Sequence, residues 1–71
     1  MRIIYIFESL HKLIKADRLL KGNGLVVKVI PVPSNYSSDC GMCLQIEIKD
    51  TILVENFLND NCICFKKFSL N

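Results

Sequence analysis

Five consecutive large apolar residues, Ile3-Ile4-Tyr5-Ile6-Phe7, closed by Glu8, constrain the fold more than any other feature of the chain. β-Branched and aromatic side chains at this density suit a buried, extended segment. An uninterrupted apolar run fits the centre of a sheet better than its edge. The run is strand length, far short of the ~20 apolar residues a membrane-spanning helix needs. It lacks the longer apolar stretch and small-residue cleavage site of a secretory signal. The expectations are a strand over Arg2–Phe7, no membrane segment and a cytoplasmic chain. With 71 residues in all, the chain has room for one domain, residues 1–71, close to the lower limit for a self-sufficient core.

The rest of the chain supplies partners for that strand. Ser9 is a candidate N-cap for a helix from Leu10 to about Lys21, with Leu13, Ala16 and Leu20 on one face and His11, Lys15 and Arg18 opposite. Gly22-Asn23-Gly24 ends it, because Gly and Asn accept the left-handed conformation of helix C-termini. Leu25–Ile30 reads as a second strand, stopped by Pro31, which fixes φ and removes a donor. The Pro31–Asp39 stretch is rich in turn residues. From Met42 to Lys49 the pattern alternates, with Met42, Leu44, Ile46 and Ile48 facing one way. Asp50 is placed to cap a second helix, Thr51 to about Asn59, carrying Leu53, Val54, Phe57 and Leu58 at helical spacing. Asp60-Asn61 turns the chain into a last strand, Cys62 to about Phe68.

The order β-α-β-β-α-β, with right-handed crossovers, predicts an α+β ferredoxin-like sandwich: a four-stranded antiparallel sheet in the order 4-1-3-2 with two helices on one face. That topology gathers the N-terminus of the first helix, the Pro31–Gly41 loop and the start of the fourth strand on one rim. Cys40 closes the loop. A helix N-terminus, with its partial positive charge and free N–H donors, favours a thiolate nearby. Ser37, Ser38 and Asp39 precede Cys40 with hydroxyls and amides, and Gly41 permits close approach to the backbone. These residues make Cys40 the candidate reactive thiol, with Ser9, Pro31, Pro33, Ser37, Ser38 and Gly41 shaping its surroundings.

The other cysteines are less clear-cut. Cys40-Gly41-Met42-Cys43 has the spacing of a redox pair, which makes Cys43 a candidate second thiol. Extended residues three apart, however, lie about 10 Å from each other, beyond disulfide reach. Cys62-Ile63-Cys64 has the wrong spacing for a zinc knuckle, and the one histidine, His11, points to water, so no metal site is expected. Cys62 and Cys64 read as small core residues on one face of the last strand, unbridged and protected from reagents, with Cys40 the fastest to alkylate. No triad, phosphate-cradling loop or carboxylate pair appears, so hydrolase and kinase chemistry are not indicated and no cofactor is expected. Nine Lys and Arg against seven Asp and Glu leave a net charge of +2, too weak to argue for nucleic acid or an anionic membrane. The 51% hydrophobic content, with Tyr5 and Cys43 assigned to the sheet face without helices, suggests apolar surface covered in a homodimer.

Phe7-x-Ser9, Ala16 with Leu19-Leu20, Ile30-Pro31-Val32-Pro33 and Ser37-Ser38-x-Cys40-Gly41 together resemble a family of short bacterial proteins described as selenium/sulfur carrier-like, a domain of unknown function. The resemblance runs from about Ile3 to Ile48 and weakens beyond. It implies a small α/β domain presenting one cysteine that carries sulfur or selenium as a persulfide-type adduct between donor and acceptor proteins. Ser34 stands where the family often has a basic residue, and Cys43 where it usually has a small apolar one. Three readings remain: a non-enzymatic carrier using Cys40, a binding or regulatory module with structural cysteines, and a minor thiol redox protein using Cys40 and Cys43.

Overall fold

The computed structural model describes residues 2–34 and 41–70. Its elements are β1 (Arg2–Ile6), α1 (Leu10–Gly22), β2 (Lys28–Pro31), β3 (Met42–Glu47), a short 3-10 turn (Ile48–Asp50), α2 (Thr51–Asp60) and β4 (Lys66–Leu70). The sheet order is β2-β3-β1-β4 with every neighbouring pair antiparallel, the ferredoxin-like arrangement expected from the element order. The apolar first strand is therefore central, paired with β3 through Ile3↔Ile46 and Tyr5↔Leu44 and with β4 through Ile4↔Phe68 and Ile6↔Lys66.

Both faces of β1 are buried, which explains why its apolar run does not alternate. Ile3, Tyr5 and Phe7 join Leu13, Ala16 and Leu20 of α1, Val54 and Leu58 of α2, and Leu44 and Ile46 of β3 in one core between sheet and helices. On the opposite face Ile4, Ile6 and Cys43 form a smaller cluster against which Ile30, Val32 and Phe68 pack. Tyr5 thus belongs to the helix side, not to the face without helices. Cys43 lies on that open face but is completely covered.

Element boundaries differ from the sequence reading where turns consume residues that look like strand. Leu25 donates its N–H to the carbonyl of Leu20 (3.0 Å), so its backbone finishes α1, and β2 starts only at Lys28. Pro31 is the last paired residue of β2, opposite Met42, and not its terminator. A proline is tolerated there because β2 is an edge strand. β3 ends at Glu47, and the 3-10 turn leaves Ile48 half exposed. Asp50 occupies the N-cap of α2 but its side chain makes no capping bond, since its φ of −98° and ψ of 1° depart from the extended geometry of side-chain caps. The largest shift is at β4, which begins at Lys66 and not at Cys62.

Candidate functional site

Strand direction collects one rim of the sheet. β1 ends there at Ile6, opposite Cys43 near the start of β3 and Lys66 at the start of β4. Just past the Ile6↔Cys43 pair, outside the strands, the chain reaches Glu8, one residue before the Ser9 cap of α1, on one side and Gly41, one residue before β3, on the other. The Ser9 backbone is extended (φ −152°, ψ 159°), and its hydroxyl oxygen accepts the Lys12 N–H at 3.2 Å. The cap read from the sequence is therefore formed, and the positive end of the helix dipole lies on this rim.

The two ends of the β2–β3 connection are tied together. Val32 donates its N–H to the Gly41 carbonyl at 3.1 Å, one step beyond the Pro31↔Met42 pair. Gly41 has φ +73°, and a Cβ placed on it would meet nothing within 4 Å. Glycine is needed there for its backbone conformation, not for space. Pro31 is exposed and Pro33 half-buried. Ser37, Ser38 and Cys40, with Asp39, lie outside the described residues. Cys43 is fully buried within the open-face cluster.

The connector between α2 and β4 reaches the same rim and overturns one expectation. Cys62 and Cys64 are exposed, not buried, and they are unbridged. Ile63 between them is sunk into the main core. The cause is the way α2 ends. Cys62 donates its N–H to Asn59 O (3.1 Å) and Ile63 donates to Leu58 O (2.9 Å), the paired bonds of a Schellman turn, with Cys62 at φ +57°. That turn commits Asn61, Cys62 and Ile63 to the helix terminus, so no strand ladder is left to pull the thiols inward. Asn59, Cys62, Ile63, Cys64 and Phe65 line an open depression of about 370 Å³.

Beside it, Tyr5 and Phe65 meet edge to face with ring centroids 5.1 Å apart. The Tyr5 hydroxyl donates to Glu55 Oε2 at 2.9 Å, and Lys67 Nζ reaches the same oxygen at 2.8 Å. Burial, reinforced by the Glu55 carboxylate, pushes the Tyr5 phenol far above its usual range, so it remains a donor. Glu55 is held below the usual carboxylate range, chiefly by the Lys67 hydrogen bond, with burial opposing and the Tyr5 hydroxyl assisting. Separations of 50 and 12 residues hide this cluster from the sequence. It fastens α2 to β1 and β4.

Among the described residues no group of three or more His, Cys, Asp and Glu could hold a metal ion, and no helix is long and apolar enough to cross a membrane. The fold and rim define a small α+β domain of the ferredoxin-like type that presents loops and thiols at one sheet end. The chain belongs to the family described as "Putative Se/S carrier protein-like", whose model matches residues 2–69. No curated protein and no solved structure matches it.

Proposed function

We propose that this chain is a stoichiometric carrier of sulfur or selenium, with Cys40 as the accepting nucleophile. The observation that carries the reading is the family match across residues 2–69. The rim geometry supports it: Cys40 immediately precedes Gly41, whose carbonyl accepts the Val32 N–H at the same end of the sheet as the capped start of α1. In the sulfur case the Cys40 thiolate attacks the outer sulfur of a donor persulfide. A new S–S bond forms on Cys40, the donor's S–S bond breaks, and the donor leaves as a thiolate. An acceptor nucleophile then takes the outer sulfur and returns Cys40 to its thiolate. Ser37 and Ser38 bring hydroxyls close to Cys40 in sequence, and a helix N-terminus favours a thiolate. The burial of Cys43 favours single-thiol chemistry over a Cys40–Cys43 redox pair.

The test is to incubate the reduced chain with a low-molecular-weight persulfide and map the product by peptide mass spectrometry. One added sulfur on the Cys40 peptide, released by thiol reductant and absent from Cys40→Ser, is expected. Sulfur found only on other cysteines, or on none, overturns the reading.

A further inference from the structure

The exposed thiols of Cys62 and Cys64 are accounted for by neither the core nor the carrier reading. Both border the same open depression, whose volume of about 370 Å³ falls at the small end of the roughly 300–1,000 Å³ that small-molecule sites occupy. Ile63, only 2% exposed, anchors the segment between them, so the pair is held at the surface by its own middle residue. Cys62 also occupies a left-handed backbone position, which is sterically unfavourable for a non-glycine residue. At the equivalent place after α1 the chain uses Gly24 (φ +80°).

We propose that Cys62 and Cys64 form a second thiol site, a dithiol that reduces the S–S bond of a low-molecular-weight disulfide seated in the depression they line. Residues two apart span at most about 7 Å between Cα atoms, overlapping the roughly 4.4–6.8 Å range of disulfides. Because β4 begins at Lys66, no ladder hydrogen bond fixes Cys64 in a strained extended register. Among the described residues no third ligand joins these two thiols, a set that suits covalent exchange better than metal capture.

The chemistry balances without any further oxidant. One thiolate attacks a sulfur of R–S–S–R, forming a mixed disulfide and expelling RS⁻. The second thiolate attacks the protein sulfur of that mixed disulfide, forming the Cys62–Cys64 bond and expelling a second RS⁻. Two electrons pass from the pair to the small disulfide, and the two thiol protons leave with the products or into solvent.

The test uses the full-length Cys40→Ser chain, so its outcome does not depend on the carrier reading. The folded, reduced protein is mixed with excess dithiobis-nitrobenzoate, an aryl disulfide whose released thiolate is coloured. Two thiolates released per chain, an intact mass lower by two hydrogens and no retained adduct are expected. Adding Cys62→Ser or Cys64→Ser should halve the release and leave a stable aryl adduct on the remaining thiol. A native pair that retains two adducts, or that fails to react while circular dichroism reports the folded state, overturns the proposal. Either of those results leaves the persulfide test of Cys40 standing by itself.

Discussion

The ends of α1 and α2 are built from the same hydrogen bonds on different residues. After α1, Gly24 N–H reaches Lys21 O and Leu25 N–H reaches Leu20 O. After α2, Cys62 N–H reaches Asn59 O and Ile63 N–H reaches Leu58 O. The amide of Asn23 donates to Leu19 O at 2.8 Å, and that of Asn61 to Phe57 O at 2.9 Å. Leu20 and Leu58 are both fully buried on the core side of these turns. The two ends differ at the left-handed position, glycine in one and cysteine in the other. A backbone motif is thus specified mainly by what it buries and bonds. The residue at its strained corner is left open to other demands, and here the second turn spends that position on a thiol.

The comparison can be broken most forcefully at its buried ends. Leu20→Ala and Leu58→Ala each remove a fully buried side chain and the apolar clasp of a Schellman turn, so each should cost about 2–5 kcal/mol. Urea unfolding of the two variants should give similar losses, and a silent substitution at either position would end the claim of equivalence. The corner residues sharpen it, because the effects have opposite sign. Gly24→Ala should destabilise by about 1 kcal/mol and Cys62→Gly should stabilise by a similar amount, the steric cost of the left-handed region being added in one case and relieved in the other. Denaturation midpoints moving in the same direction would contradict this account.

The smallest effect tests how the helix bodies differ. α2 is fastened to the sheet by Glu55, whereas α1 has a surface pair within itself, Lys21 to Asp17 at 3.1 Å. Because folding lowers the pKa of Glu55, its contribution is present above the ordinary glutamate range and is lost as pH falls through the lower folded value. The pair is partly exposed, so the contribution stays below about 1 kcal/mol. Glu55→Gln should therefore lower stability slightly at neutral pH and converge with the parent chain in acid. Parallel pH–stability curves for the two would show that the carboxylate adds nothing.

The same two helix ends explain what could be read from the sequence. α1 was legible because its signals are local: Ser9 before the first turn, Leu13, Ala16 and Leu20 at helical spacing, and two glycines at the end. The element order and the apolar β1 then fixed the sheet topology. The end of α2 carries no glycine, so Cys62-Ile63-Cys64 has the pattern of an alternating strand, which points two surface thiols into the core. A usable signal was present in the repeat of Leu-x-x-Asn-x-apolar, as Leu20 to Leu25 and again as Leu58 to Ile63. The face of Tyr5 is not legible, because an uninterrupted apolar strand gives no alternation from which to choose one. The Tyr5–Glu55–Lys67 cluster depends on tertiary contacts that no local pattern encodes.

The bond from Val32 to Gly41 has a consequence for how such a protein can change over time. Lys28–Pro31 against Met42–Gln45 sets the strand register, and this last clasp seals it, all from outside residues 33–40. The entropic cost of a longer connection grows slowly, by about 0.6 kcal/mol for each doubling of its length. Selection can therefore lengthen, shorten or rewrite the segment bearing Cys40 while the hairpin beneath it keeps its register, much as a tool bit is exchanged in a fixed chuck.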